Sequence, residues 1–457
     1  MLLRPFNPRP STRALLKRPQ KRIAIIIPAW DEAAVIASML ENNIARIDYE
    51  NYDIFVGVYR NDAQTRRAVD GVIETHPNVI RADVQSDGPT SKADALNWTL
   101  VAIKAHEAKH GIVYDAIAMH DAEDVIHPAT LRVYNWYCER SDMLQLPVLS
   151  LPRQPTDLVG GHYMDEFAEW HTKDLAARAR LSGIVPSAGV ATCFSRRAID
   201  TLLNEGDGRV FNTDSLTEDY DIGQRLRLYG LRGEFVRQYV VLRSENGRKR
   251  RKELVATKEY FPNKFNQSIR QKSRWVLGIS ILGWRDLGWF GSTATRWFLY
   301  RDRKAIWTAP TGMIAYAIVV QVLLYELVIW LVPGLNALPA LIERDSWVWG
   351  LILVNFWFLL NRVIHRMIFT GVNHGWLHAL IAPIRIVVGN FIAFGAVWRA
   401  ARLYILHLIT GKPLTWDKTD HVFPSVAEIE ALYGEARYFK RLERSSPSKR
   451  VREISYE

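Results

Sequence analysis

The sequence predicts an α/β domain built on a mostly parallel sheet, followed by α-helical interfacial and transmembrane segments. Three observations predict it: short apolar runs alternating with helical stretches from Arg22 to about residue 245, long uncharged runs beyond residue 304, and tryptophans gathered late in the chain. Strands that alternate with helices imply parallel pairing, because parallel neighbours need a crossover connection. "IAIII" (23–27), "DIFVGVY" (53–59) and "DAIAM" (115–119) read as buried strands, with 32–46, 64–75 and 92–109 as the helices between them. Ligands of such sheets bind in the crevice at the carboxyl ends of the strands.

The membrane segments are read from charge. Residues 305–325 contain no Asp, Glu, Lys or Arg, and a helix of that length spans about 31 Å, which matches a bilayer core. Residues 346–361 form a second uncharged run, completed if Arg362 and Arg366 snorkel to an interface. A third apolar segment, 377–398, carries Arg385 near its middle and is followed by Arg399 and Arg402. Arg296, Arg301, Arg303 and Lys304 precede the first span, and Arg362 and Arg366 close the second, so one hairpin satisfies the positive-inside rule. A third crossing would put the basic tail outside, so the third segment is expected to be interfacial or re-entrant. The first residues are basic without a continuous apolar stretch, neither signal peptide nor span, and the N-terminus is expected in the cytoplasm. Twelve of the 16 tryptophans lie at or beyond Trp275, as expected of rings that anchor at a membrane surface.

The expected division is a basic N-terminal segment (1–21), a catalytic domain (22–265), amphipathic interfacial helices (266–304), a transmembrane hairpin (305–369), an interfacial or re-entrant helix (370–402) and a charged cytoplasmic tail (403–457). A formal charge of +11 suits an anionic leaflet or a phosphate-bearing substrate, and no arginine-rich, aromatic-interleaved stripe speaks for nucleic acid. The dense basic run Arg248 to Lys252 reads as a solvated loop beside lipid headgroups. Two cysteines, Cys138 and Cys193, make no disulfide framework.

The chemistry is read from acids at the strand ends. The first strand ends in Pro28-Ala29-Trp30-Asp31-Glu32 with no glycine-rich turn, which argues against a dinucleotide-dependent dehydrogenase. The second ends in Asn61-Asp62 and the third in Asp121-Ala122-Glu123-Asp124. Carboxylates delivered to one crevice repel unless they share a cation or hydrogen-bond a sugar or base. Hard oxygen donors suit Mg²⁺ or Mn²⁺, which keep part of their coordination sphere for substrate phosphates, so a nucleotide diphosphate is the natural guest. Helix capping competes with this. Pro128 as a first helical residue would make His127 the cap and leave the acids too early for that duty. For Asp31 and Glu32 the two explanations stand level, because acids in a first turn are favoured by the helix dipole alone.

"SLTEDYDIGQRLRLYG", 215–230, looks like a helix with a Ser215–Glu218 capping box and Gly230 as terminator, so Glu218 has a structural explanation. Asp219 shares its inward face with Ile222, Leu226 and Tyr229. Partial burial there would raise its pKa toward the range of a general base, the competing explanation being a structural ion pair. Gln271, Arg274 and Trp275 fall at i, i+3 and i+4 of another helix and present an amide, a guanidinium and a ring on one surface. Arginine binds phosphate in a bidentate manner and an indole offers a platform for a sugar, whereas an amphipathic helix anchored by its Trp would carry the same residues.

In this order the motifs resemble the family-2 glycosyltransferases of GT-A fold, a nucleotide-diphospho-sugar transferase fold, in their membrane-bound processive form related to cellulose, chitin and hyaluronan synthases. The resemblance covers roughly residues 22–290 and includes Lys92 in "TSKADALN". The longer stretches "HDAED", "VPSAGVATCFSRRA", "SLTEDYDIG" and "RQKSRW" resemble its bacterial inner-membrane branch named phage adsorption protein B. The resemblance implies that Pro28, Trp30, Glu32, Asp62, Lys92, Gln271 and Trp275 bind substrate, with Asp62 on the uridine and Trp275 on the acceptor sugar. It implies that Asp121 and Glu123 hold Mg²⁺ or Mn²⁺ on the diphosphate, that Asp219 is the catalytic base beside Glu218, that Arg274 steadies the pyrophosphate, and that residues 189–195 line an acceptor channel. Asp31 stands where many relatives carry Asn, and Asp124 leaves open which acids bind metal. Larger members carry a membrane helix ahead of the catalytic domain and a cyclic-dinucleotide-type regulatory domain behind the membrane part. Neither is read here, and the charged tail is expected to be flexible.

The expected activity is an inverting transfer from a nucleotide sugar, with a UDP-N-acetylhexosamine donor by analogy, to a growing polysaccharide at the inner membrane. So small a membrane part calls for an export partner or a homo-oligomer. Transfer to a lipid-phosphate carrier, giving a glycolipid, and a catalytically idle receptor or scaffold are the alternatives. A transporter fits least, because most of the chain reads as soluble.

Overall fold

The computed structural model describes residues 9–205, 208–243, 250–332, 342–343, 345–414 and 422–433. The first eight residues of the basic N-terminal segment, Arg248 and Lys249 of the basic run, and the tail from residue 434 lie outside the described residues. Helix α1 (Thr12–Lys17) leads into β1 (Ile23–Ala29), α2 (Ile36–Arg46), β2 (Tyr52–Tyr59), α3 (Ala63–Ile73), β3 (Val79–Val84), α4 (Lys92–His110) and β4 (Ala116–Met119). These strands lie in the order β3-β2-β1-β4, all neighbours parallel.

The chain continues through α5 (Thr130–Tyr137), β5 (Met143–Gln145), β6 (Val148–Ser150) and α6 (Leu158–Glu169), and α6 passes through a π-helical turn (Trp170–Asp174) into α7 (Leu175–Ser182). Strand β7 (Thr192–Ser195), helices α8 (Arg196–Glu205) and α9 (Glu218–Arg225), and β8 (Gly233–Phe235) complete the seven-stranded sheet. In it β7 runs antiparallel between β4 and β5, and β8 lies parallel beside β5. Two short ladders follow: β9 (Tyr239–Arg243) with β10 (Arg250–Leu254), and β11 (Thr257–Glu259) beside β6.

The alternation of β1 explains its central place. Ile23, Ile25 and Ile27 enter one core and Ala24 and Ile26 the core on the opposite face, as a strand covered on both sides requires. Strand β2 repeats the division, with Ile54, Val56 and Val58 against Phe55. Each fully buried aliphatic side chain stabilises the domain by roughly 1.5–3 kcal/mol.

Four local expectations differ from the structure. Strand β3 is absent from the sequence reading because Arg81 and Asp83 interrupt its apolar pattern. It is the edge strand, where charge is tolerated, and Arg81 Nε donates to Asp83 Oδ1 at 2.9 Å. Helix α2 begins at Ile36 rather than 32, after a turn in which Asp31 has φ 55° and the Glu32 carbonyl accepts from Val35 and Ile36. Helix α5 begins at Thr130, so His127 is no cap; its Nδ1 accepts from the Ala129 N–H in the preceding turn. Helix α9 has Thr217 at its N-cap, and Ser215 Oγ accepts from the Thr217 N–H, so the capping box does not form.

After β11 come α10 (Phe265–Trp275), a π-helical stretch (Val276–Leu282), α11 (Gly283–Leu287) and α12 (Thr293–Arg303). Helices α13 (Ala305–Leu331), α14 (Val348–His374) and α15 (Trp376–Thr410) are each long and apolar enough to cross a membrane, and α16 (Val426–Tyr433) follows. The apolar windows of α13 and α14 are unburied, whereas α15 buries Ala379, Ala382, Arg385, Gly389, Ile392, Ala396 and Ala400 along one face. That face packs on α6 and α10. Acids of α6 meet bases of the later helices: Asp165 with Arg385 at 3.2 Å, Glu169 with Arg366 at 2.8 Å, and Glu166 with Lys272. Helix α16 returns to the catalytic domain, where Ile429 and Tyr433 are buried against Val125 and Leu151.

Candidate active site

Strands β1, β2 and β4 end at one cleft, lined by Pro28, Trp30, Glu32, Tyr59, Lys92, Asp121 and Glu123 among others. The parallel order β2-β1-β4 brings these ends together although they are far apart in sequence. Asp62 lies behind the cleft wall: Oδ1 caps α3 by accepting from the Thr65 N–H at 3.1 Å, and Oδ2 accepts from the Asp31 N–H at 2.6 Å. The Glu32 N–H donates to Thr65 Oγ1 at 3.0 Å. Asp62 and Thr65 therefore tie the loop after β1 to the start of α3. Trp30 meets Tyr59 edge-on at 5.1 Å, and the Tyr59 hydroxyl is 2.8 Å from Thr90 Oγ1, which makes an aromatic wall.

The three acids after β4 separate by burial. Asp124 is wholly buried, 2.7 Å from His120 Nδ1, and accepts from the Asp121 N–H at 3.2 Å, so it braces the loop from within. Asp121 and Glu123 line the cleft. A further acid that sequence reasoning missed, Glu259 on β11, is pressed toward them. Two hydrogen bonds between Val125 and Lys258, 2.8 and 3.1 Å, staple β11 to the loop. Burial, then Asp124, Glu123 and Asp121, push the Glu259 carboxyl well above the usual carboxylate range.

Lys92, the first residue of α4, joins this half of the site to the next. Its Nζ lies 2.5 Å from Asp121 Oδ1, 3.3 Å from the Gly189 carbonyl and 3.9 Å from Glu218 Oε1. Burial opposes its charge, but Asp121, Glu218 and Asp219 outweigh burial and hold its pKa above the ordinary lysine value. Gly189 has φ 77°, and a Cβ there would lie 2.8 Å from Asp219 Oδ2, so the close approach requires glycine.

Glu218 and Asp219 open α9. Burial, then the neighbouring Asp219, raises Glu218 to about 7. Burial also raises Asp219, against the pull of Lys92 and of the Tyr220 N–H, which donates to Asp219 Oδ1 at 2.7 Å. A carboxyl pair of this kind can take a proton near neutrality.

Gln271, Arg274 and Trp275 share α10 and are not among the residues lining the cleft. Trp275 packs edge-on against Tyr163 of α6 at 6.3 Å, and Tyr163 stacks on Phe261 at 5.0 Å. Just beyond α10, Gly278 sits against Thr217, where a Cβ would lie 2.5 Å from the Thr217 methyl, so the segment that follows these three residues rests on the turn that holds Asp219.

Among the described residues no group of three His, Cys, Asp or Glu side chains stands ready to hold a metal ion. The donors that line the cleft, Asp121 and Glu123, are nevertheless hard oxygens, and burial together with Asp124, Glu123 and Asp121 disfavours the charge of Glu259 beside them. Two carboxylates completed by diphosphate oxygens fit Mg²⁺ or Mn²⁺.

Residues 19–278 match a family model described as "Glycosyltransferase like family 2". The chain is 41% identical over 428 residues to the bacteriophage adsorption protein B of Escherichia coli K12, covering 92% of this chain and 57% of that protein. The bacteriophage N4 adsorption protein B of Escherichia coli O157:H7 matches to the same extent, so the chain spans little more than half the length of these relatives. Among solved structures, a mannosyltransferase of Pyrobaculum calidifontis in complex with GDP-Man and Mn²⁺ aligns with a TM-score of 0.46 and 17% identity, over 82% of this chain and 91% of that one. S. aureus TarS 1-349 in complex with UDP-GlcNAc aligns at 0.30 and 15%, over 47% of this chain and 56% of that one.

Proposed function

The chain belongs to glycosyltransferase-like family 2, and from that premise we propose that it is a glycosyltransferase of GT-A fold that moves a sugar from a UDP-sugar to a growing polysaccharide at the inner membrane, with inversion. The observation that carries this reading is the meeting of Lys92 with Asp121, Glu218 and the Gly189 carbonyl beside Asp219. It puts a cation, a phosphate-side acid and a base-side acid pair within one turn of one another.

In the proposed mechanism Trp30 and Tyr59 flank the base of the nucleotide and Asp62 keeps their loop in register. Asp219 takes the proton of the acceptor hydroxyl, whose oxygen attacks the anomeric carbon as the nucleoside diphosphate leaves from the opposite face. Glu218 shares the proton with Asp219, and Lys92 with Arg274 balances charge on the departing diphosphate. Asp121 and Glu123 would hold a divalent cation, which would supply Lewis-acid neutralisation of the same charge. Trp275 on α10 is the platform for the acceptor sugar.

For the membrane part, we read α13 and α14 as the crossing pair and α15 as a helix lying along the cytoplasmic surface. Arg385, at the middle of α15, is wholly buried with Asp165 of the catalytic domain and also reaches the Pro155 carbonyl at 3.2 Å. Both ends of α15 join segments beside the sheet domain: in the last turns of α14 the buried Thr370 donates to Asp165 of α6 at 3.2 Å, and α16 docks beside the acid loop. The opposite stripe of α15, with Leu377, Leu380, Ile384, Val387, Phe391 and Trp398, is exposed and suits acyl chains.

The apolar windows of α13 and α14 favour a second reading, transfer to a lipid-phosphate carrier, because among the described residues they are left unburied rather than packed around a path for a polymer. Polymer synthesis would then need an oligomer or an export partner. A panel of UDP- and GDP-sugars with Mg²⁺ or Mn²⁺, measuring nucleotide release and product size, separates the two. Long chains support polymer synthesis, and a single sugar on lipid supports the carrier. No turnover with any sugar would leave the receptor or scaffold reading.

A further inference from the structure

We propose that Asp302, on the last turn of α12 just ahead of the first membrane helix, is a positioning residue for transfer. Its carboxylate fixes Tyr220 and, through Tyr220, the turn that carries Asp219. The proposal rests on the reading of Asp219 as the base.

Asp302 is almost wholly buried. Both its oxygens accept from Arg178 Nη1 of α7, each at 2.8 Å, and Oδ2 also accepts from the Tyr220 hydroxyl at 2.8 Å. Its backbone carbonyl accepts from Ser280 Oγ at 2.9 Å, which ties α12 to the π-helical stretch. That stretch and the first residue of α11 both bear on the base turn, Gly278 against Thr217 and Gly283 against the Tyr220 ring. Next along α12, buried Arg303 donates to the Gly283 carbonyl at 3.1 Å and lies over the Trp289 ring at 4.5 Å. Tyr220 follows Asp219 directly and gives it its backbone N–H.

The path from membrane entry to base is therefore Arg178, Asp302, the Tyr220 hydroxyl, the Tyr220 amide and Asp219. The Arg178–Asp302 pair alone would meet any structural need. The tyrosine hydroxyl is a third group on an already neutralised carboxylate, and its charge-assisted hydrogen bond sets the angle at which α9 begins. Transfer geometry is sensitive to shifts of about 1 Å, so this bond should be read in turnover.

The test uses the full chain in lipid nanodiscs, with Tyr220→Phe, Asp302→Asn, the double variant and Asp219→Asn compared in one assay. Turnover is measured with the sugar nucleotide selected by the panel, UDP affinity with Mn²⁺ present, and unfolding temperature in parallel. Tyr220→Phe keeps the Arg178–Asp302 pair and should fold normally. Its expected result is kcat lower by about tenfold, with the KM of the donor and UDP affinity unchanged. Because the effect runs through one bond, the double variant should have no lower kcat than Asp302→Asn alone. An unchanged kcat in Tyr220→Phe with an inactive Asp219→Asn overturns the positioning role and leaves the base standing. Joint loss of UDP affinity and kcat in Tyr220→Phe makes the bond merely structural and overturns the proposal. Near-normal turnover by Asp219→Asn overturns the base and this proposal with it.

Discussion

The acid loop after β4 and the turn at the head of α9 meet at the Lys92 ammonium, yet different parts of the molecule hold them. The acid loop is fastened to the sheet domain: the His120 N–H donates to the Ile26 carbonyl at 3.1 Å, and Asn43 of α2 bonds both the Asp124 carbonyl at 2.8 Å and the Ile126 N–H at 2.9 Å. The base turn is seated on the segments that lead into the membrane, through Gly278, Gly283 and Asp302. Under the proposed mechanism, donor-side chemistry would belong to the α/β sheet domain, and acceptor-side chemistry would be referred to the segments that lead into the apolar helices. Lys92 is the bridge between the halves.

The largest expected effect tests the acceptor half directly. Asp219→Asn should lower kcat by about two to four orders of magnitude, the scale of a lost general base, and leave UDP affinity intact. A parallel fall in UDP affinity would erase the distinction between the halves. Next, Arg385→Ala leaves Asp165 buried without its cation, a loss of about 3–5 kcal/mol. Thermal unfolding in detergent should record it together with reduced turnover and little change in nucleotide affinity.

The pH profile gives a finer test. Burial, then Asp219, lifts Glu218 from the ordinary 4.5 to about 7. Turnover should rise with pH through an apparent value near 7 that belongs to the Glu218–Asp219 pair, and Glu218→Gln should displace that inflection. The sign for stability is opposite. Between pH 4.5 and 7 the folded chain keeps a proton that the unfolded chain has released, so this group's contribution to stability falls as pH rises through that window. The smallest effect lies on the donor half. Asp62→Ala removes the cap of α3 and the bond to Asp31, costing about 1 kcal/mol. It should raise the KM of the donor with little change in kcat.

The sequence made the acids after β4 legible because three carboxylates following a buried strand have few cheap explanations. The resemblance sets Asp121 and Glu123 apart as metal ligands and leaves Asp124 open, but the residue types alone do not divide them. Asp121, Glu123 and Asp124 are chemically alike as letters, and only the fold turns Asp124 inward to His120. Glu259 was unreadable for a different reason: it reaches the loop through a β-bridge between Val125 and Lys258, a contact across more than 130 residues that leaves no local pattern. The Tyr220–Asp302 bond is equally non-local, and Asp302 stands among Arg301, Arg303 and Lys304, whose charges drew the eye to the membrane boundary. Strand β3 was lost because periodicity detects burial, and an edge strand is half solvated.

The pairing of Arg385 with Asp165 has a bearing on biogenesis. Helix α15 offers the insertion machinery a long apolar segment that could be threaded across the bilayer. If α15 lies along the cytoplasmic surface as proposed, the partner that holds Arg385 there is a carboxylate of α6, translated more than 200 residues earlier. On that placement the nascent sheet domain would have to fold before α15 emerges, in keeping with domains folding as units from the N-terminal side. A ribosome that outran that folding would yield a chain with three crossings and with α16 stranded on the wrong side of the membrane.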